Sequence, residues 1–398
     1  MNTKKTLFLA VFVGLVIILA PIAKAEDGGN PRYFVHTTKS FWKNTLGVRN
    51  IFSDGFTSDL SGFQLKLAKI AGLELSPVKQ LNILPEEVQT DSIISGKSRP
   101  NPGPRPTPSE AVPWGIKMVY NDYTLTNTSG GLGITVAVLD TGIANHPDLS
   151  NRVAGCKDFT NARQPVIDGK CDDKNGHGTH VAGIILADGG SDNLGIYGVA
   201  PEAYLFAYKV CSANGSCWSD DIAAAIYAAT DNGANIINLS LGSDSLSSLI
   251  GDAISYAVQN GVLVVAAAGN DGPYIESIDY PGALVDVVAV GALNSSENIP
   301  DWSSRGGNTL TTPYEVEEKD IELAAPGVGI LSTWKDGGYA TLSGTSMASP
   351  HVAGLTAKFW SDHPASSSFD IRSLLHQAAH DLSPVGDDNA SGFGLPTL

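Results

Sequence analysis

The stretch Ala234-Asn-Ile-Ile-Asn-Leu-Ser-Leu241, then Leu246 to Asn260, then Val262-Leu-Val-Val-Ala-Ala-Ala268, decides the fold class. Two short apolar runs, bounded by turn residues, flank a longer stretch that reads as a helix. The same alternation continues outward in both directions. Ile134 to Leu139 reads as a strand, with β-branched residues and no charge until Asp140. His177 to Ala187 reads as a helix, Ala203 to Val210 as a strand and Asp220 to Asn232 as an alanine-rich helix. Val285 to Val290 reads as another strand and Ser346 to Trp360 as another helix. Continuous apolar strands separated by helices are strands buried on both faces. The expected class is therefore α/β, a parallel sheet flanked by helices on both faces. In such sheets sites form beyond the carboxyl ends of the strands. Asp140, Ser240 and Asn270 each fall at the end of an expected strand.

Three distant segments carry one reactive side chain each: Val-Ala-Val-Leu-Asp140-Thr-Gly, Asn-Gly-His177-Gly-Thr-His-Val-Ala-Gly and Gly-Thr-Ser346-Met-Ala-Ser-Pro-His. An acid, an imidazole and a hydroxyl are what nucleophilic acyl transfer needs. Serine holds its proton too tightly to attack at neutral pH. A histidine within hydrogen-bond reach removes that proton, and a carboxylate on the far ring nitrogen fixes the tautomer and stabilises the imidazolium. Rival readings of these segments fail on pattern. His177 and His180 stand three apart with no glutamate after His177, unlike the zinc motif His-Glu-x-x-His. Asp140-Thr-Gly occurs once, whereas an aspartic protease needs two aspartates sharing a proton. Gly131-Leu-Gly133 precedes its strand, unlike a dinucleotide loop. Ala348 stands where the second glycine of an esterase Gly-x-Ser-x-Gly motif would be.

The order Asp, His, Ser differs from the chymotrypsin and α/β-hydrolase orders. Together with Ala267-Ala268-Gly269-Asn270 and the eleven residues from Gly344 to Gly354, it makes the chain from about Pro113 onward resemble the subtilisin-like serine proteases, the subtilases. The resemblance implies a secreted serine endopeptidase made as a self-processing precursor, acting on proteins and peptides as a monomer. It implies catalytic roles for Asp140, His177 and Ser346, with Asn270 and the Ser346 N–H as the oxyanion hole. His180 and His351 are then packing or hydrogen-bonding residues. Ser240-Leu241-Gly242 resembles the edge strand that pairs with substrate backbone. Asp279, just before Tyr280-Pro281-Gly282, takes the place of a pocket-floor residue that is glycine in many relatives. A carboxylate there is expected to attract Lys or Arg at the position before the scissile bond, which would also suit processing at Lys97-Ser98. Structural calcium is implied too, with Asp148 and Asp192 as ligands; hard cations take oxygen donors. Asp158, Asp172 and Asp173, or Asp320 with Glu322, are further acidic groupings that could hold a cation but read more readily as solvated loops. A subtilase lacking activity and acting as a binding protein is the rival from another class, and every chemical position being filled disfavours it.

The N-terminus reads as a secretory signal: Lys4 and Lys5, an apolar run from Leu7 to Leu19, and the small-x-small site Ala23-Lys24-Ala25. This gives residues 1–25 as a signal peptide, with extracellular localisation and no stable membrane anchor. Prolines at 100, 102, 104, 106, 108 and 113 mark an extended linker from about 95. Residues 26–108 thus form a unit apart from the body, 109–398. By position the unit corresponds to the family's propeptide, a small α+β domain that assists folding and then inhibits the enzyme. Phe63 to Ala71 reads as its helix and Lys79 to Val88 as a strand and turn. The whole chain carries 25 basic against 41 acidic residues; residues 109–398 carry 12 against 33, and residues 26–108 carry 10 against 8. An acidic body with no basic patch disfavours nucleic acid as a partner. The four cysteines, Cys156, Cys171, Cys211 and Cys217, all lie in the body. In an exported chain they point to disulfides, and proximity suggests Cys156–Cys171 and Cys211–Cys217. Buried thiols and, against spacing, a zinc site are the alternatives.

Overall fold

The structure is a computed structural model describing residues 30–83, 87–89, 107–162, 164–307, 314–382, 385–386 and 388–398. The signal segment, Lys97-Ser98 and most of the proline-rich linker lie outside the described residues.

The body is built on an eight-stranded sheet. Its order runs Leu323–Pro326, Val287–Leu293, Leu263–Ala267, Ile236–Leu239, Thr135–Asp140, Tyr204–Lys209, Val153–Asp158, Ile167–Asp168. Every neighbouring pair is parallel except the last, where Ile167–Asp168 turns back antiparallel. Alternate side chains enter two cores. Val136 and Val138 join Val265, Val288, Ile185 and Val352 on one face. Ala137 and Leu139 join Ile237, Val264, Ile222 and Ile254 on the other. Helices His177–Leu186 and Thr345–Asp362 cover the first face; Ser219–Asp231 and Ser248–Gln259 cover the second. Burial on both faces explains why the central strands lack polar alternation.

The expected strand from Ala234 to Leu241 divides in two. Ile236–Leu239 stays in the main sheet, and Leu241–Gly242 leaves it to join a separate one. The strand expected from Val285 begins at Val287, because Leu284 to Val287 makes a turn that leaves Val285 exposed.

Residues 30–83 form a unit of their own. A three-stranded antiparallel sheet, ordered Phe56–Asp59, Arg32–Val35, Leu75–Pro77, carries helices Ser40–Leu46 and Gly62–Ile70. The second helix starts in a capping box, with Ser61 and Gln64 satisfying each other's backbone N–H groups. The core is small: Val35, Leu46, Phe56, Leu60, Leu65 and Ala68. The unit's last strand, Gln80–Ile83, lies on the body between Ser216–Trp218 and Leu241–Gly242, antiparallel to both. Further on, Glu87–Gln89 adds antiparallel to Tyr339–Ser343. This N-terminal stretch, the leader, thus adds one strand beside Leu241–Gly242 and another beside Tyr339–Ser343, just before Ser346.

Candidate active site

Three neighbouring strands deliver the candidate residues to one end of the sheet. Asp140 ends Thr135–Asp140, Ser240 follows Ile236–Leu239 and Asn270 follows Leu263–Ala267. Asp140 is fully buried, and its two oxygens lie 2.7 and 2.8 Å from His177 Nδ1. One of those oxygens also accepts the Thr141 N–H at 2.6 Å. His177 opens its helix right beside that carboxylate. The close approach needs Gly178: a Cβ there would stand 2.3 Å from the Gly142 carbonyl oxygen and 3.1 Å from Asp140 Cβ.

Asp173, grouped in the sequence with possible cation ligands, holds this helix start together. Its Oδ1 accepts from Thr141 Oγ1 at 2.9 Å, Asn175 N at 2.9 Å and Gly176 N at 2.8 Å. Its Oδ2 accepts from Thr179 N at 3.0 Å and Thr179 Oγ1 at 2.7 Å. A carboxylate there meets the otherwise unsatisfied N–H groups and the positive end of the helix dipole. Asp173 stands too far ahead of the helix to read as an N-cap, so this role left no signal in the sequence. Behind it, Lys209 Nζ donates to the Thr141 carbonyl at 2.6 Å and the Cys211 carbonyl at 2.8 Å. Burial holds this ammonium below its ordinary range, against the opposing pull of Asp173, Asp158 and Asp140.

Ser346 is the second residue of Thr345–Asp362 and is fully buried. Its hydroxyl donates to the Ser240 carbonyl at 3.3 Å, and Ser240 Oγ donates to the Ser346 carbonyl at 2.9 Å. Asn238 Nδ2 in turn donates to Ser240 Oγ at 3.0 Å, and Ser349 Oγ donates to Asn238 Oδ1 at 2.8 Å. Asn270 Oδ1 accepts from both Thr345 N and Thr345 Oγ1, each at 3.0 Å. The amide is therefore fixed with its oxygen toward the helix start, and its NH₂ end is turned to the other side. The roles of Thr345 and Ser349 were not apparent from the chain alone.

His180 and His351 are fully buried on the covered face. Burial drives their pKa values down to about 3 and about 4 respectively. His180 Nε2 lies 3.0 Å from the Ile330 carbonyl and 3.1 Å from that of Ala340, and His351 Nδ1 lies 2.8 Å from the Met347 carbonyl. These neutral rings tie elements together. The cysteines form the bonds Cys156–Cys171 and Cys211–Cys217.

The remaining candidates fall elsewhere. Asp148 is fully buried; its Oδ2 accepts from Ile196 N at 3.0 Å and Tyr339 OH at 2.9 Å. Asp192 is exposed and caps its own turn through Leu194 N at 3.1 Å. Glu322 is a buried ion-pair partner of Arg372 and His376 rather than an open acidic group. Asp279 is buried against Gly242 and Gly269, beneath the strand that pairs with the leader. Among the described residues one set of three potential metal-ligating side chains converges: Asp279 with Asp244 and Asp271, all within 4.8 Å. The last two carried no sequence signal.

Comparisons with known proteins agree with the geometry. Residues 131–394 match the subtilase family profile, Peptidase_S8. The chain is 47% identical over 376 residues to "Subtilisin" from Bacillus sp. (strain TA39), spanning 89% of this chain and 87% of that one. It is 38% identical over 338 residues to "M-protease" from Shouchella clausii (strain KSM-K16), spanning 83% and 81%. Among solved structures, "S41 Psychrophilic Protease" superposes with a TM-score of 0.70 at 52% identity, over 73% of this chain and 99% of that chain. "Sphericase" does so with the same TM-score at 51% identity. With the sheet topology, the paired acid and imidazole, and these relatives together, the chain belongs to the subtilase family and is a serine endopeptidase of the subtilisin type.

Proposed function

We propose that Asp140, His177 and Ser346 are the catalytic triad of this endopeptidase, with Asn270 and the Ser346 N–H as its oxyanion hole. The observation that carries this reading is the contact of both Asp140 oxygens with His177 Nδ1, at the sheet end that also holds Ser346 and Asn270. His177 Nε2 takes the Ser346 proton as Oγ attacks the peptide carbonyl. The carbonyl oxygen becomes an oxyanion facing the Asn270 amide, and loss of one such donor slows turnover by about 10²–10³. Collapse of the tetrahedral adduct breaks the C–N bond, and His177 passes its proton to the leaving amine. Water then attacks the acyl-enzyme, giving its proton to His177, and the second adduct releases the carboxylate as Ser346 regains its hydrogen. Hydrolysis of casein by the wild type, with covalent labelling by a fluorophosphonate lost in Ser346→Ala, is the expected result. Persistent hydrolysis by that variant overturns the assignment.

Residues 26–108 act as a propeptide in this reading. Its strand occupies Leu241–Gly242, the edge proposed for substrate, so the leader blocks the site it is cut from. Export by residues 1–25, a monomeric body and the boundary near 108 belong to the same proposal. N-terminal sequencing of the secreted product, with and without Ser346→Ala, tests all but the oligomeric state. Calcium at Asp148 belongs to the same proposal: a buried carboxylate is the kind of hard oxygen donor the ion takes, and Asp148 already holds the loop 188–196 through Ile196 N. Asp148 is the ligand best supported, and a bound ion there would stiffen the loop. A melting temperature unmoved by EGTA would remove calcium from this account.

A further inference from the structure

Lys209 is a buried cation directly behind the proposed triad. It ends Tyr204–Lys209 and stands opposite Asp140 in one neighbouring strand and Asp158 in the other. Residues at one level of parallel strands send their side chains to the same face. The row therefore sets one lysine between two aspartates, at the end of the sheet where Asp140 meets His177. Lys209 Nζ donates to the Thr141 carbonyl at 2.6 Å and the Cys211 carbonyl at 2.8 Å. Those carbonyls belong to the segments that leave the two strands side by side. Thr141 follows Asp140, and the Val210 and Cys211 N–H groups donate to the Asp140 carbonyl at 2.9 and 3.1 Å. Thr141 carries the contact onward. Its hydroxyl accepts the Gly178 N–H at 2.9 Å and donates to Asp173 Oδ1 at 2.9 Å. The ammonium is thus linked to the residue after Asp140 and, through Thr141, to the helix turn that carries His177.

A neutral amide also has two N–H donors for two carbonyls, and burying an ammonium is costly. What the lysine adds is charge. The groups that face it come from both neighbouring strands and from the loop: Asp140 and Asp158 in the sheet, Asp172 and Asp173 in the segment before the His177 helix. Asp140 and Asp173 are buried, Asp158 is half-buried and Asp172 is exposed. Burial pulls the Lys209 pKa down, while Asp173, Asp158, Asp140 and Asp172 pull it back, in that order. His180, the other ring near His177, is buried and neutral. Two buried carboxylates, Asp140 and Asp173, therefore serve the start of the helix that bears the general base. Uncompensated, such a pair favours a proton on the imidazole, whereas a general base has to begin neutral.

We propose that Lys209 is a positioning residue for the reaction: its charge balances Asp173, so that His177 begins as the free base and answers to Asp140 alone. This rests on the triad reading and deepens it. Lys209 touches neither substrate nor a reacting atom. It acts through Asp140, whose strand end it ties to the neighbouring segment by way of Thr141 and Cys211. It also acts through the field it adds at the helix start, which a water-poor interior screens less than a surface does. The Asp140 carboxylate remains in contact with the ring, and it stabilises the imidazolium once Ser346 has given up its proton.

The test measures kcat/KM against pH with a peptide p-nitroanilide, per active site counted with a fluorophosphonate. It compares wild type with Lys209→Gln, Lys209→Met and Lys209→Arg. In the two neutral variants the midpoint of the acid limb should rise by about 0.5–1 in pH, so that kcat/KM at pH 6 falls about threefold to tenfold. At pH 9 the loss in Lys209→Gln should be smaller, about twofold or less, and Lys209→Arg should hold the wild-type midpoint. A loss equal at every pH, with the midpoint in place, overturns the proposal and leaves Lys209 a structural tie. So does a midpoint that rises as far in Lys209→Arg as in Lys209→Gln. Absence of active sites from both neutral variants overturns it too, because the charge then serves folding. Should the wild type cut no peptide and bind no fluorophosphonate, the triad reading has failed by itself. The titration of the His177 ring proton by NMR, assigned by its loss in His177→Gln, still reads the charge balance in that case. A midpoint higher by about 0.5–1 in Lys209→Gln supports it, and an equal one overturns it.

Discussion

Two buried aspartate pairings sit at the starts of two helices, and they differ in where the partner comes from. Asp140 meets His177 within the body, 37 residues away. Asp220 and Asp221, in the first turn of Ser219–Asp231, meet cations supplied by the leader, more than 160 residues away. Arg32 donates to Asp220 at 2.8 Å and to Asp221 at 3.1 Å, and Arg49 reaches Asp221 at 3.3 Å. Asn50 and Thr57 complete the set, donating to Asp220 Oδ2 at 3.0 and 2.6 Å. The first pairing is locked in place by Asp173, Thr141 and the sheet; the second holds only while the leader is docked. In the function proposed above, one electrostatic device would thus serve a rigid catalytic pair and a detachable contact. Charge, strand addition and the packing of Leu81, Phe52 and Ile83 against the body's core together make the contact.

The comparison breaks most visibly at the body's own pair. Asp140→Asn should lower kcat by about 10⁴ while leaving the fold intact, because the imidazole loses its tautomer and its counter-charge. Steady-state kinetics with circular dichroism check this. Asp220→Asn, a matched change at the other helix start, should leave kcat of the processed enzyme alone. Comparable losses in both would mean that the two pairings are not functionally distinct.

At the leader contact the sharper change removes the cations. Arg32→Ala/Arg49→Ala strands two buried carboxylates, and breaking a buried pair from one side costs about 3–5 kcal/mol. In a Ser346→Ala precursor, amide exchange across Arg32–Val35 and Phe56–Asp59 should accelerate by about 10²–10³ or more. Unchanged exchange would assign the docking to the strand Gln80–Ile83 alone.

The two disulfides divide along the same line. Cys156–Cys171 closes the loop just before Asp172 and Asp173, and the Cys171 carbonyl accepts the Ile143 N–H at 2.8 Å. Cys211–Cys217 shapes the strand that receives Leu81 and Asn82. Loop closure gives about 3 kcal/mol for the first and about 2 kcal/mol for the second. Replacing each pair with serine should lower the melting temperature in that order. Only loss of the second should also loosen the leader.

Legibility followed the range of the contacts. The central strands were readable because burial on both faces leaves a local apolar run. The segments around Asp140, His177 and Ser346 were readable because each carries its chemistry within a few residues. Val153–Asp158 was missed, since it holds a glycine, a lysine and an aspartate and lies near the sheet edge. The split at Ser240 was missed because the apolar pattern continues through it. Asp244 and Asp271 look like ordinary loop acids until folding brings them beside Asp279. The Arg32–Asp220 contact spans 188 residues and leaves no local trace.

The smallest expected effect is the pH dependence of the leader's hold. The Asp221 pKa is pushed up to about 7 in the docked state, first by burial and then by Asp220, while Arg32 and Arg49 pull the other way. An exposed aspartate titrates near ~3.9. A group whose pKa is raised by docking contributes fully below its ordinary value, and the contribution is lost as pH climbs through the docked value. The leader should therefore hold about tenfold more weakly at pH 8 than at pH 6. Exchange rates of the Ser346→Ala precursor at the two pH values measure this, with Asp221→Asn as the control that should flatten the slope. A hold that strengthens with pH would mean that Arg32 and Arg49 outweigh burial and keep Asp221 ionised throughout. The leader contact would then be an ordinary ion pair, no easier to release in alkaline medium than the Asp140–His177 pair it resembles.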